Sequence, residues 1–273
     1  MRLALSEIST VGASFEEDVR AYATAGFDGI GIWEFKLPND DAENVQLLHS
    51  ADLGVANCVP AVPTILQLGI PGMEGPPDPE ERIALLCNSV RRLAAYEPEC
   101  VLCLSGPLGG RSESEARAIV QDGLVRIAGV AREVGVRFGF EPAHPSQFES
   151  TSFVNTAEGA AALLDDAGLD DVAVMVDTFN LYDDAGAADW LRVNGGRVSG
   201  IHVADRHADP SRTDRVLPGE SGGRAKELVG AARAGGWDGF VDVEIFSEPD
   251  RFWALPVDEA ARRAHAAGSA LFG

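Results

Sequence analysis

VAVMVD (residues 172–177) is a short apolar, β-branched run that ends on a single carboxylate. In a strand, successive side chains alternate between faces. If Asp177 faces one way, Val172, Val174 and Val176 face the other. Downstream, VSGIHVA (198–204) and FVDVE (240–244) have the same apolar character, and upstream so does VRFGFE (136–141). Two of these also end on an acid: Glu141 follows outward-facing Phe138 and Phe140, and Glu244 follows Val241 and Val243. The remaining run carries His202 two residues before its end. Strand-like runs also occur at 2–6, 29–33, 54–59 and 100–104, making eight in all.

Helix-like segments with recognisable starts separate the runs. Ser14 to Glu17 and Ser112 to Glu115 have capping-box spacing. Asp78, Pro79 and Glu81 supply an N-cap, a proline at the first helical position and an acid in the first turn. Gly26, Gly54, Gly135, Gly168 and Gly236 fall where helices are expected to stop. Regular βα alternation implies a parallel sheet with helices outside. Eight units close a barrel, and no glycine-rich dinucleotide fingerprint follows the first strand. The expected fold is therefore a single (β/α)8 TIM barrel over residues 1–273. The segment 60–78 is long and proline-rich for a compact domain, which suggests a functional loop that could act as a lid.

Barrel enzymes place their chemistry at strand C-termini. Glu141, Asp177, His202 and Glu244 are separated by 36 (177−141), 25 (202−177) and 42 (244−202) residues, each about one βα unit. Four consecutive strands thus bring three carboxylates and an imidazole to one side of the mouth. Acids so gathered repel one another unless a cation joins them. One divalent metal is expected, held by these four residues. Oxygen-rich donors with one imidazole suit Mn2+ first, with Mg2+, Co2+ and Zn2+ as alternatives. Arg137 and Asp242 share the inward parity at greater depth, where a paired polar network is expected. His144 could bond a substrate hydroxyl or cap its own loop. Cys100 and Cys103 form a C-x-x-C, but on a strand they point to opposite faces and cannot share a metal or a disulfide.

FGFEPAHP, VDTFN, GIHVAD with DRVLPG, and DVEIFSEP resemble the xylose-isomerase-like sugar isomerase/epimerase superfamily, nearest to its keto-inositol isomerase and ketose 3-epimerase branches. The resemblance implies metal ligation by the same four residues, with Glu141 and Glu244 also moving protons. It implies that Arg215 contacts substrate oxygens and that Trp33 and Glu34 form a substrate wall, with Phe246 as a similar wall. Asn180 stands where several relatives carry histidine, so hydrogen bonding to the substrate differs at that point. The implied activity is isomerisation or epimerisation of a sugar, ketose or keto-inositol through a cis-enediolate. The alternative at the same site is β-elimination by a lyase or dehydratase.

A formal net charge of −21 repels phosphate backbones, so nucleic acid is not an expected partner. That charge, and only five histidines, also argue against the apurinic-site endonucleases that share this barrel. No run approaches the ~20 apolar residues of a membrane span. The N-terminus reads as a first strand rather than a signal peptide. A cytoplasmic protein acting on a small carbohydrate or cyclitol is expected. Homo-oligomers occur among relatives, and the sequence identifies no interface.

Overall fold

The computed structural model describes residues 2–207, 209 and 214–272. Eight parallel strands close on themselves in chain order: β1 Arg2–Ser6, β2 Gly29–Trp33, β3 Gly54–Val59, β4 Val101–Cys103, β5 Phe138–Phe140, β6 Ala173–Asp177, β7 Val198–Val203 and β8 Phe240–Val243. Pairing of Leu3 with Val241 and Leu5 with Val243 shuts the ring. Helices α1 Phe15–Ala25, α2 Asp41–Ser50, α3 Pro79–Leu93, α4 Glu113–Val134, α5 Ala157–Asp166, α6 Ala187–Asn194, α7 Arg224–Ala234 and α8 Val257–Ser269 surround it. This is the TIM barrel that the βα alternation implied. No helix among the described residues is long and apolar enough to cross a membrane.

Local chemistry sets the helix starts. Ser14 and Glu17 form a reciprocal capping box on α1, Ser112 accepts from the Glu115 N–H on α4, and Asp78 caps α3 ahead of Pro79. Gly26 and Gly135 end their helices in the left-handed conformation. Gly54 does not stop a helix. It opens β3, while α2 ends at Ser50 and the chain turns through Asp52 at φ 56°.

Alternation sorts the strand side chains into two cores. Phe138, Phe140, Val174, Val176, Ile201, Val203, Val241 and Val243 pack outward in one cluster with the helices. Cys100, Leu102, Val59 and Met175 belong to a second cluster inside the barrel. Cys103 lies in the outer cluster, and all four cysteines are free. Two bulges break the alternation. Between β2 and β3 the register jumps from Ile30–Val55 to Gly31–Asn57, and between β6 and β7 from Val174–Val198 to Met175–Gly200. The extra residues are Ala56 and Ser199, and each bulge reverses the parity that follows. Asn57 and His202 point inward for this reason.

The expected pairing of Arg137 with Asp242 does not occur. The β5 ladder begins at Phe138, so Arg137 lies at the N-terminal rim, where it is exposed and donates to the Gly196 carbonyl at 3.4 Å. Asp242 is buried inside, with other partners. His265, partly exposed, packs edge-on against Phe27 at 5.1 Å.

Segment 60–78 is anchored at its start. Thr64 bridges Leu104, and Leu66 N–H donates to the Ser105 carbonyl at 2.8 Å. Gly106 allows this close approach, because a Cβ there would lie 2.3 Å from the Leu66 oxygen. Residues 106–110 (GPLGG), after β4, therefore make a turn that packs against the segment through Gly106. Fully buried Arg82 gathers the remainder, donating to the carbonyls of Thr64 (2.9 Å), Glu74 (2.8 Å) and Pro76 (3.0 Å). Burial draws its pKa down to about 10. Arg82→Met strands these carbonyls, so a loss of about 3 kcal/mol in urea unfolding is expected. Faster proteolysis within 67–78 should accompany it.

Candidate metal centre and its cavity

Glu141, Asp177 and His202 are all buried, and each offers a ligand atom within 4.8 Å of the others'. The bulge in β7 brings His202 into this group. Its Nε2 sits 3.2 Å from Asn57 Oδ1, and Asn57 Nδ2 donates to Asp242 Oδ2 at 2.7 Å. This arrangement fixes the tautomer with the proton on Nε2. His202 Nδ1 is left buried with no hydrogen-bond partner, facing Glu244 Oε2 at 3.4 Å. Burial holds the imidazole neutral, with a pKa down to about 4. A neutral ring with one nitrogen oriented by an acceptor and the other bare is suited to bind a metal. Asp177 Oδ2 faces the same space and has the Arg215 guanidinium as its ion-pair partner.

Electrostatically the cluster is under-compensated. Burial first, then the charges of Asp177 and Glu244, push Glu141 well above the usual carboxylate range. Burial raises Asp177 and Glu244 as well, with Arg215 opposing. Arg215, on the segment between β7 and α7, supplies the opposing cation: Nη2 lies 2.8 Å from Asp177 Oδ2, and Nη1 donates to Glu244 Oε2 at 2.8 Å. Burial disfavours its charge, but the three acids hold the guanidinium above its ordinary pKa. Phe179 and Phe246 flank it, each ring centre 4.8 Å away. Glu244 therefore stands with Arg215, next to the three-ligand group, and its Oε1 accepts from Ser6 at 3.4 Å.

Above the cluster is a cavity of about 310 Å³, lined by Trp33, Asn180, Arg215, Phe246, Glu141, His202 and Glu244 among others. Asn180 donates to Glu141 Oε1 at 3.0 Å, and its own Oδ1 is unpartnered. Trp33 stacks edge-on with Phe246 at 5.7 Å and donates to Ser6 at 3.0 Å. Two residues named from the sequence lie elsewhere. Glu34 turns away to accept from Ala61 N–H and to face Arg92. His144 caps its own turn through Ser146 and bonds Asp183 at 3.0 Å. His207 borders a neighbouring cleft with Asp214 and Leu217.

Asn57 and Ser6 orient the site yet went unnoticed in the sequence, and Asp242, placed there in a deep polar network, holds Asn57. Removing the acceptor that orients His202, in Asn57→Ala, should weaken metal binding by roughly 10–100-fold. Calorimetric titration with Mn2+ would measure this.

A second buried polar group supports the Trp33 side. Glu7 Oε2 accepts from Trp33 N–H at 2.9 Å, while Lys36 bonds the carbonyls of Glu7 and Thr10 and the carboxylate of Asp18. Burial raises the Glu7 pKa to about 8, Lys36 opposing and Asp18 adding. From pH 4.5 to 8 the folded chain keeps a proton that the unfolded chain has released. Glu7's contribution to stability is thus complete below pH 4.5 and lost as pH rises through 8. Urea titrations at pH 5, 7 and 9 should show Glu7→Gln gaining on the parent as pH rises, with a slope difference approaching one proton, about 1.4 kcal/mol per pH unit.

Fold and site together define a TIM barrel with a carboxylate–imidazole cluster at the C-terminal ends of its strands. A family model described as the xylose isomerase-like TIM barrel matches residues 19–268. The chain belongs to that family. A search of curated proteins by sequence finds none that matches. Among solved structures, a protein from Sinorhizobium meliloti 1021 is 23% identical, covers 98% of both chains and superposes with a TM-score of 0.86. The IolI protein with a bound zinc atom is 19% identical over 99% of this chain and 98% of its own, at 0.82. The 3-keto-D-glucoside 4-epimerase YcjR from E. coli is 19% identical over 100% and 99%, at 0.78. At these identities the likeness is one of fold.

Proposed function

We propose that the protein is a divalent-metal-dependent isomerase or epimerase that moves a proton at the carbon beside a carbonyl of a sugar, ketose or keto-inositol. The observation that carries this reading is the bare, buried His202 Nδ1, in one cluster with the carboxylates of Glu141 and Asp177. Burying such an atom unpartnered is costly unless something binds there. A zinc-holding structural neighbour and a keto-glucoside epimerase neighbour support the reading.

Glu141, Asp177 and His202 would hold the ion, with Glu244 as fourth ligand once it leaves Arg215. Mn2+ suits this oxygen-rich set, with Mg2+, Co2+ and Zn2+ as alternatives. When bound, the ion polarises a carbonyl and acidifies the adjacent C–H. Glu141 and Glu244 are the proton carriers, the roles the family resemblance implies, and both carboxylates line the cavity. Arg215, freed from Glu244, contacts substrate oxygens, and Asn180 Oδ1 accepts from a hydroxyl. Trp33 and Phe246 wall the cavity and exclude water.

Incubating Mn2+-loaded protein in D2O with ketoses, aldoses and keto-inositols tests the proposal by NMR. Deuterium wash-in beside the carbonyl, with the product retaining every other atom, is expected. Loss of water or of an aglycone would identify a lyase instead, and no exchange at all despite bound metal would overturn the isomerase reading.

A further inference from the structure

The cavity has two unlike halves. One side comes from β5 to β8 and the turns after them, and carries Gln147, Thr151, Asn180 and Arg215 beside Glu141, His202 and Glu244. The other comes from the ends of β3 and β4 and from segment 60–78. There the lining is Val59, Leu102, Leu104, Leu68, Ile70 and Met73, none with a hydrogen-bonding side chain. Local polar groups on that side are already engaged. Thr64 Oγ1 donates to the Leu66 carbonyl at 2.7 Å and receives Arg82. The N–H groups of Ile65, Leu66 and Leu104 bond carbonyls of Leu104, Ser105 and Pro63.

A free ketose or cyclitol carries a hydroxyl on nearly every carbon. Each hydroxyl pressed on this wall would lose water and find no partner, lowering affinity roughly tenfold. An apolar group gains there instead, since Leu102 and Val59 already belong to a buried apolar cluster. Pockets of this kind fix orientation with a few convergent polar groups and draw affinity from the apolar remainder.

We infer that the substrate bears an apolar group, aryl or branched alkyl, next to the carbonyl–hydroxyl unit received by the ligand cluster, and that this group packs against Leu102 and Leu104 beneath Leu68, Ile70 and Met73. The inference rests on the function proposed above and narrows its substrate class from free sugars to keto compounds with an apolar substituent.

Two probes share one α-hydroxyketone head: 2-hydroxyacetophenone, with a phenyl group on the carbonyl, and dihydroxyacetone, with a hydroxymethyl group there. Binding to Mn2+-loaded protein is read by titration calorimetry, and chemistry by wash-in at the shared CH2. The phenyl probe is expected to bind at least tenfold tighter. Met73 is about half exposed, so Met73→Gln tests the wall without endangering the fold. It should weaken the phenyl probe several-fold and leave dihydroxyacetone within twofold, and Leu104→Gln should do so more strongly. Equal or tighter binding of dihydroxyacetone or D-fructose, or a phenyl preference unmoved in both variants, overturns the inference. A wall-dependent phenyl preference without wash-in supports the apolar subsite and counts against the proton-transfer reading. Wash-in on free ketoses without that preference does the reverse.

Discussion

Glu244→Gln is expected to cut deuterium wash-in by roughly 10³-fold while leaving the fold intact, the scale of a lost general acid/base. The substitution is nearly isosteric. The amide oxygen can still accept from Arg215 Nη1, now 2.8 Å from Oε2, and the amide NH2 can reach the Ser6 hydroxyl that now donates to Oε1 at 3.4 Å. Removing one charge from a buried group of acids also lowers their mutual repulsion. Thermal unfolding should therefore stay within a few degrees of the parent. Metal affinity should fall only about tenfold, because Glu141, Asp177 and His202 already stand together whereas Glu244 must leave Arg215 to join them, so its charge contributes less. The separation between a small binding loss and a large rate loss is the informative result. Unimpaired turnover would remove Glu244 from the proton path, and unchanged metal affinity would remove it from the ligand set.

Strand-end acids were legible in the sequence because alternation is a property of the chain itself. Once Val172, Val174 and Val176 are placed against helices, Asp177 has only the interior to face, and the same logic holds for Glu141 and Glu244. His202 is different. Counting by twos from outward-facing Val198 would send it to the helices, and only the extra residue at Ser199 brings it inside. The matching bulge at Ala56 hid Asn57, the residue that orients it. Arg137 failed for a related reason. Parity assigns a face but not a depth, and the ladder starts one residue too late to include it. The apolar half of the cavity could not be read at all. Leu102 and Leu104 look like any strand leucines until segment 60–78 folds back across them, a contact set by Arg82 and the Thr64–Leu104 bridge.

Asp177→Asn is expected to move stability and metal binding in opposite directions. In the metal-free protein Asp177 is fully buried, and burial raises its pKa, so its charge is held at a cost that Arg215 only partly offsets. Neutralising it relieves that cost and removes one of the charges that raise Glu141. Oδ1 already accepts from Phe179 N–H at 2.8 Å, and an asparagine oxygen can keep that bond if the guanidinium, whose Nη2 is 2.8 Å from Oδ2, turns from the new NH2 toward Glu244. Arg215 keeps Glu244 as its partner. The metal-free variant should therefore melt at or slightly above the parent. Metal affinity should drop by more than the ~10–100-fold typical of an outer-shell change, because a charged ligand is lost from the cluster itself. The thermal shift on adding Mn2+ reads both effects in one experiment. At metal 100-fold above its Kd the parent gains about 2.7 kcal/mol, and the variant at the same concentration should gain well under half of that. If the variant melts several degrees lower without metal, Asp177 is a structural partner of Arg215. If it instead keeps the full metal-induced shift, the ion is not held by Asp177. Stability traded against a binding charge is the usual mark of a functional cluster, and a raised metal-free melting point with a missing metal shift would show that trade directly.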